Sequence, residues 1–463
     1  MCGIVGQVRP PAAGPVDREL LERMCAGLAH RGPDQRGVFA RDGAGLGIQR
    51  LRVVDLLTGD QPIHNEDGSV VVVLNGEIYN FRELRAELAG RGHAFSTHGD
   101  TEVIVHLYEE LGPACVKRLH GMFAFALWDA RRRRLVLARD RAGKKPLLYS
   151  LRDGVLSFAS EMAALMEDPE IPRDIDFEAV DGYLACGYVP TPRSAFRAVR
   201  KLPAAHTLVF EDGQATIERY WRLDYGRKRR VADPRELHEP IRDAIREATR
   251  RRLVADVPLG AFLSGGIDSS AVVAAMAEVG GGPLRTFSIG FEEDAYDELP
   301  HARRVAEQFG TEHHEFVVRP DAISIVPRIV HHYGEPFADS SAIPSFYLAE
   351  MTRRHVTVAL NGDGGDESFG GYTRYVANRL AARLDAAPVA LRRAAAAAAG
   401  RLSEGRVTST VAKARRLAGS LPLTPAARYA RYVAWIDDLR RRQLYTDDFA
   451  AAIGVGDAPR SIA

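Results

Sequence analysis

Apolar and polar positions divide this chain into two stretches of different texture. Up to about residue 213 the pattern is mostly that of strands. Gly45 to Asp55 alternates around Arg50, Leu51 and Arg52, which predicts a half-buried strand. Val70 to Leu74 is a continuous apolar run, expected of a strand covered on both faces. Met122 to Trp128 and Leu135 to Arg139 pair across an arginine turn, and Leu147 to Ser150 pairs with Val155 to Ala159 across Asp153-Gly154, a hairpin signal. Two helices interrupt the strands, one from Phe81 to about Arg91 with Asn80 as N-cap, the other opening at His98 to Glu102 and running to Leu111. After about residue 235 strands and helices alternate. Helices are predicted over Leu237 to Leu253, Ala271 to Val279, Glu298 to Phe309 and Asp321 to His332. Strands are predicted over Gly260 to Leu263, Arg285 to Gly290, His313 to Val318 and Val356 to Leu360. That alternation is the pattern of a parallel sheet covered by helices. Beyond Tyr375 the chain is helical and rich in alanine and arginine, including Ala394 to Ala399.

Composition narrows the picture modestly. A chain of 463 residues suggests two or three domains. With 46% hydrophobic and 27% charged residues it reads as an ordinary globular protein. A net charge of +1 offers no field for nucleic acid or a membrane surface, and the basic runs Arg131 to Arg134 and Arg227 to Arg230 read as solvated turns. No apolar run reaches the ~20 residues that span a bilayer, and the first residues lack the charged start and apolar core of a signal peptide. Cys2, Cys25, Cys115 and Cys186 are scattered without C-x2-C spacing, so neither a zinc site nor a disulfide framework is expected. The expectation is a cytoplasmic protein acting on small molecules, with no nucleic-acid or membrane partner and a homodimer left open.

The strongest chemical signal is Ser264-Gly265-Gly266-Ile267-Asp268-Ser269-Ser270, between a short apolar strand and a helix. Glycines let backbone N–H groups approach phosphate oxygens, serines add hydroxyl donors, and the helix N-terminus favours negative charge. Asp268 stands out, because a carboxylate beside phosphates is repelled unless a cation lies between them, and it is read as a Mg²⁺ ligand. The loop lacks the lysine of the GxxxxGK[ST] P-loop and resembles the pyrophosphate loop of the N-type ATP pyrophosphatases, which cleave ATP between its α and β phosphates. A second glycine-rich acidic turn, Asn361-Gly362-Asp363-Gly364-Gly365-Asp366-Glu367, follows the last predicted strand, and its clustered carboxylates also favour a bound cation. His313, His314, His331 and His332 have no spaced ligand partner and read as surface or packing residues.

Cys2 follows the initiator methionine. Removal of Met1 would leave a free α-amine beside the thiol, with an unperturbed pKa of about 7.7–8.0, so the nucleophile would carry its own base. The motifs MCGIVG, HRGPD, the RL of QRLRVVD, LNGEIYNF, GDTEV, GMFAFALWD and ARDRAGKKPL then follow in order over roughly Cys2 to Gly213. They resemble the class II glutamine amidotransferase domain. With the pyrophosphate loop downstream, the whole chain is similar to the glutamine-hydrolysing asparagine synthetase family. The resemblance implies that Cys2 attacks the glutamine amide, that Asn75 and Gly76 form the oxyanion hole, that Arg50 grips the α-carboxylate, and that Glu77 and Asp100 hold the α-ammonium. In the second part it implies ATP contacts at Leu263, Ser264, Gly265, Gly266, Asp268, Ser269, Ser270, Ile289, Asn361 and Gly362. Asp366 would join Asp268 in holding Mg²⁺, and Asp363 would serve as an acid/base candidate near the acyl phosphate. The family's SGDGGDE is changed here: Asn361 replaces its serine, and Ser368 replaces the aliphatic residue that follows.

The expected fold is α/β multidomain: an N-terminal-nucleophile (Ntn) hydrolase αββα sandwich over 2–213, a linker over 214–235, and over 236–463 an α/β parallel-sheet ATP pyrophosphatase domain with a helical C-terminal part. The expected reaction is ATP-dependent amidation of a carboxylate through an acyl-adenylate, aspartate to asparagine, with ammonia from glutamine. A secondary-metabolite amidotransferase, a β-lactam-synthetase-like cyclase and a non-catalytic glutamine or ATP sensor are the alternatives. The cyclase is disfavoured, because those proteins lack the nucleophilic cysteine. Family members also carry a lysine, in a stretch near R-x-K beyond this chain's last motif, that stabilises the transferring phosphoryl group. No such stretch is found here. The expectation is a truncated synthetase that is glutaminase-competent and nucleotide-binding but poor at completing amide synthesis.

Overall fold

The computed structural model describes residues 1–41, 43–290, 298–318, 322–401 and 410–454, so Asp321 and the last residues, 455–463, lie outside the described residues. It divides into two units. The first comprises Met1–Asp176, Thr191–Glu335 and Asp339–Gly362; the second comprises Phe177–Pro190, Pro336–Ala338 and the residues from Asp363 on.

Twelve strands of the first unit make two antiparallel sheets: β1 (Gly3–Val8), β2 (Gln35–Arg41), β3 (Ala44–Arg50), β4 (Ile63–His64), β5 (Val70–Ile78), β6 (Gly121–Asp129), β7 (Arg134–Arg139), β8 (Leu148–Arg152), β9 (Val155–Ala159), β10 (Arg200–Lys201), β11 (His206–Glu211) and β12 (Gln214–Arg219). One sheet runs β10-β8-β9-β1-β3-β2, the other β12-β11-β7-β6-β5-β4. Helices α1 (Arg18–Ala26), α2 (Phe81–Gly90), α3 (Val103–Leu111) and α4 (Met162–Leu165) cover their outer faces.

The period-2 rule accounts for the layering. Ile4 and Val8 of β1 point into the core between the sheets, while Val5 faces Leu21 and Met24 of α1. On β5, Val71 and Val73 enter that same central core, whereas Val70, Val72 and Leu74 pack beneath α2 and α3. The uninterrupted apolar run is thus a strand buried on both faces, and the layers are α/β/β/α as the sequence predicts.

Local differences from the predicted elements have physical causes. β3 stops at Arg50, and β5 continues through Asn75-Gly76 to Ile78 because it keeps pairing with β6. Asn80 precedes α2 without capping it; its side chain instead donates to Arg118 O and accepts from His120 N. Gln214–Arg219, expected to be linker, is the edge strand paired with β11.

The rest of the first unit is a parallel sheet. Helix α5 (Phe177–Cys186) belongs to the second unit. After it come α6 (His238–Arg252), β13 (Leu259–Phe262), α7 (Ile267–Val279), β14 (Arg285–Gly290), α8 (Leu299–Phe309), β15 (Glu312–Val317), α9 (Ala322–Tyr333), α10 (Ala342–Thr352) and β16 (Val358–Leu360). Strand order is β15-β14-β13-β16, all parallel, with Ala261, Leu263, Val273, Met276, Ala302 and Leu360 in the core. Helix α10 was not predicted; its apolar residues run round the helix, so no stripe marks it.

The sandwich and the parallel sheet are joined at Asp256, whose carboxylate accepts from Asp55 N at 2.7 Å and whose N–H donates to Val53 O at 2.9 Å. Asp55 sits at φ 56° and is 7% exposed. Burial raises its carboxyl, but the Thr58 hydroxyl and the N–H groups of Thr58, His98 and Leu57 outweigh this and hold it at about 2. A carboxyl lowered on folding contributes stability above its unfolded pKa of about 3.9 and loses it as pH falls toward 2. Asp55→Asn, which tolerates the same left-handed backbone, is expected to cost about 1–2 kcal/mol at pH 7 and progressively less as pH drops below 4. Urea unfolding at a series of pH values checks this; a pH-independent difference would remove the charge argument.

The second unit is helical: α5 with α11 (Gly365–Phe369), α12 (Thr373–Leu384), α13 (Val389–Gly400), α14 (Thr410–Ser420), α15 (Pro425–Val433), α16 (Asp438–Leu444) and α17 (Asp447–Ala452). Arg428, fully buried, is held by Asp385 at 2.5 and 3.1 Å. Among the described residues, no helix is long and apolar enough to cross a membrane.

Candidate functional site

Cys2 lies immediately before β1 and is 9% exposed. Leu51 N donates to its Sγ at 3.4 Å, and Arg31 Nε donates to its carbonyl at 2.8 Å. Arg31 is itself fixed by Glu161 at 2.5 Å, so the HRGPD turn anchors the backbone of Cys2. Burial pushes the Cys2 thiol up. Burial also drives the terminal amine down to about 5; Cys2 opposes this, while Arg31 and Lys145 add to it. With Met1 in place the resting pair is therefore a thiol beside a neutral amine, and the nucleophile's own base would be the Cys2 amine freed when Met1 is removed. The amine here is that of Met1.

On β5, Asn75 is fully buried, and neither Oδ1 nor Nδ2 has a hydrogen-bond partner among the described residues. Leaving such groups unpaired costs about 1–3 kcal/mol, so a buried, empty-handed amide invites a ligand. Gly76 has φ +152°, and a Cβ there would fall 2.1 Å from Met122 O, so only glycine fits. Half-buried Glu77 and buried Asp100 form a pair of neighbouring carboxyl groups. Burial and then Asp100 raise the Glu77 carboxyl far above the usual range, against Lys145 and Arg50. Burial raises Asp100 too, against the Ile78 N–H that it accepts at 2.7 Å and against Arg50. Two carboxylates short of positive charge suit an ammonium.

Arg50 lies in electrostatic reach of Cys2, Glu77 and Asp100, but its guanidinium is not a free fork. NH1 binds Asp60 at 2.8 Å, and NH2 donates to Val54 O and Asp55 O. NH2 has thus spent both protons, and an incoming carboxylate must use the remaining edge. Lys145, to which the sequence reading assigned no role, stands in the same site. It is 3% exposed, burial and Arg31 lower it to about 8, and its Nζ meets Met1 Sδ at 2.6 Å. Asp140 shapes its turn by accepting from the N–H groups of Phe123, Ala142, Lys144 and Lys145. Two adjacent lysines look alike in sequence, and only burial singles out the second.

The other predicted site gathers at the carboxyl end of the parallel sheet. β13 is flanked by β14, which leads outward to β15, and by β16 on its other side. The order therefore reverses at β13, where open α/β sheets bind ligands. The 264–266 turn leaves β13 and enters α7. Gly265 has φ +77°, with His301 and Ala302 backbone 2.5–2.6 Å from where a Cβ would sit. Ser264 and Ser269 brace the turn through their hydroxyls at 3.0 Å, while the Ser270 Oγ is buried and unpartnered. Leu263 is tied to β14 by Phe287 O at 2.9 Å, and Ile289 stands near that strand's end. Asn361 and Gly362 follow β16, and a Cβ on Gly362 would meet Ser269 N at 2.8 Å and Asp268 at 3.0 Å, so this glycine lets the two loops touch. Among the described residues no protein donor or cation reaches the Asp268 carboxylate, which fits an acid kept for a metal ion.

In the second unit Asp363 precedes α11, and Asp366 lies within it beside Gly371, where a Cβ would stand 1.9 Å from Oδ1. Glu367 is engaged by the Tyr372 hydroxyl at 2.7 Å. The histidines singled out earlier have packing partners: His313 with Thr286 at 2.8 Å, His314 on the Phe287 ring, and His331 and His332 against one another. All four cysteines are free.

Residues 1–221 match the family model for a glutamine amidotransferase domain, and residues 240–451 match that for asparagine synthase. The chain is 38% identical to asparagine synthetase [glutamine-hydrolyzing] 1 of Bacillus subtilis, covering 81% of this chain and 59% of that protein. It is 37% identical to putative asparagine synthetase [glutamine-hydrolyzing] 2 of Methanocaldococcus jannaschii, over 81% of this chain and 76% of the relative. Identity to a putative asparagine synthetase [glutamine-hydrolyzing] of Mycobacterium bovis is 36%, over 88% and 65%. The chain thus spans under two thirds of the first and third of these relatives. On this likeness, the chain belongs to the glutamine-hydrolysing asparagine synthetase family.

Proposed function

We propose that this chain hydrolyses glutamine at Cys2 and directs the ammonia to a carboxylic acid activated by ATP as an acyl-adenylate. Aspartate is the first acceptor to test, because the relatives are named for asparagine. The observation that carries the reading is the orphaned, fully buried amide of Asn75, on the face of β5 whose Val71 and Val73 share a core with Cys2. Such a donor is suited to an oxyanion that forms only during reaction, and one donor of this kind is worth roughly 3–4 kcal/mol of barrier. Asn75 and Gly76 would receive the oxyanion, Glu77 and Asp100 the α-ammonium, and the open edge of Arg50 the α-carboxylate. The domain division proposed is a glutaminase part ending near 213–221 and a synthetase part from about 236.

ATP would lie on the turn of Ser264, Gly265 and Gly266, with Ser269, Ser270, Leu263, Ile289, Asn361 and Gly362 around it. Mg²⁺, when bound, would neutralise the phosphate charge that develops as pyrophosphate departs. Asp268 and Asp366 are the residues that would hold it, and Asp363 the acid/base candidate.

Measuring glutamate release and pyrophosphate release separately, over a panel of carboxylic acids, tests the proposal. Glutamate release with Asp-dependent AMP and pyrophosphate supports it. Pyrophosphate dependent on another acid would move the acceptor, and release of neither product with any acid would overturn the catalytic reading.

A further inference from the structure

Glu66, His93, His106 and Glu109 lie on the outer side of the second sheet, and one ligand atom from each falls within 4.8 Å of all the others. They come from three places: Glu66 from the turn between β4 and β5, His93 just after α2, and His106 and Glu109 from one face of α3, three residues apart. None belongs to the two sites above.

The distances inside the group are those of a coordination shell more than those of a hydrogen-bond network. His106 Nδ1 stands 3.2 Å from Glu109 Oε2 and 3.5 Å from Glu66 Oε2. His93 Nδ1 stands 3.6 Å from Glu66 Oε1 and 3.7 Å from Glu109 Oε2. Only the first is short enough for an ordinary hydrogen bond. A tetrahedral ion with bonds of about 2.0–2.2 Å has ligand–ligand edges of about 3.3–3.6 Å; the four nitrogen–carboxylate distances of 3.2–3.7 Å lie close to this, with His106 and His93 approaching different oxygens of Glu66.

The groups behind the ligands are those a metal site uses. The other ring nitrogen of each histidine faces a carboxylate: His93 Nε2 is 3.4 Å from Glu110, and His106 Nε2, fully buried and without a hydrogen-bond partner, is 3.8 Å from Glu102. Each carboxylate ligand is also oriented by a donor, Glu109 by Asn65 at 2.7 Å and Glu66 by Ala94 N at 3.0 Å. Carboxylate–histidine–metal chains of this kind fix the imidazole tautomer and raise its basicity. Two neutral imidazoles and two carboxylates balance a divalent charge. Nitrogen with oxygen and no sulfur selects zinc-class ions over the all-oxygen preference of Mg²⁺ and Ca²⁺.

We propose that this cluster is a structural Zn²⁺ site. The ion would tie α3 to the β4–β5 turn and to the segment after α2. That segment leads through Ser96 and Thr97, both held by Glu102, to Asp100. The site would thereby brace the loop carrying Asp100 without touching substrate.

The test uses the full chain, stripped with chelator and titrated with Zn²⁺ by calorimetry, and with Co²⁺ followed by visible absorption. One equivalent is expected to bind, with a tetrahedral Co²⁺ spectrum free of a thiolate charge-transfer band, and Zn²⁺ should raise the thermal midpoint. His93→Gln, at the partly exposed ligand, should weaken Zn²⁺ at least tenfold and abolish the thermal gain, whereas Cys2→Ala and Asp268→Asn should leave both intact. Glu66→Gln is the second ligand variant, should His93→Gln not fold. No Zn²⁺ binding to the stripped protein at micromolar concentration, or binding unaffected by both ligand variants, would overturn the proposal. The cluster would then be a network of histidine–glutamate contacts without an ion.

Discussion

Cys2→Ala is expected to reduce glutamate release by roughly 10⁴-fold or more, because removing a nucleophile disables the unit it acts in. Pyrophosphate release supported by ammonium salts should survive. The reason is spatial: Cys2 is held by Arg31 and Leu51 inside the sandwich, whereas the 264–266 turn is braced by its own serines at the end of the parallel sheet. Among the described residues, no hydrogen bond of the second site passes through the thiol. With Met1 removed, the base beside the thiol is the α-amine of Cys2 itself, with an ordinary pKa of about 7.7–8.0, so glutaminase activity should fall with acidification as that base becomes protonated. Glutamate assays with and without glutamine, alongside a pyrophosphate assay with ammonium chloride, decide the matter. Loss of both activities together would sink the division of labour.

Asn75→Ala should separate catalysis from stability. If its amide receives the oxyanion, kcat for glutamate release falls about 10²–10³-fold while KM for glutamine changes little. A buried polar side chain normally stabilises through its hydrogen bonds, but here both polar atoms lack partners. Truncation removes an unpaired amide and leaves a small cavity, two effects of similar size and opposite sign. The unfolding free energy from urea titration is therefore expected to stay within about 1 kcal/mol of the parent. A variant destabilised by several kcal/mol with normal turnover per folded molecule would make Asn75 a core residue and no more.

The sequence by itself determined the layer architecture and brought the candidate reactive groups into view. Strand and helix periodicities depend on near neighbours, so Val70 to Leu74, the β6–β7 pair and the alternation after residue 235 were legible. Cys2, Asn75-Gly76 and Ser264 to Ser270 were legible because each packs its chemistry into a few consecutive residues with unusual demands, such as glycine at φ +152° or +77°. Element ends were less legible: β5 runs past Leu74 because β6 offers it partners, and Asn80 abandons its cap for Arg118 and His120.

Only the tertiary structure decided what depends on residues far apart in the chain. It buried Lys145 and left Lys144 in contact with solvent, took two of the Arg50 donors for backbone carbonyls, and set Asp55 against Asp256. It also brought His93 and His106 to the same two glutamates, although their spacing in sequence matches no ligand motif. Ligand sets, charge environments and pKa values are sums over neighbours in space. A chain that crosses back and forth between layers places those neighbours tens or hundreds of residues away, where no local pattern records them.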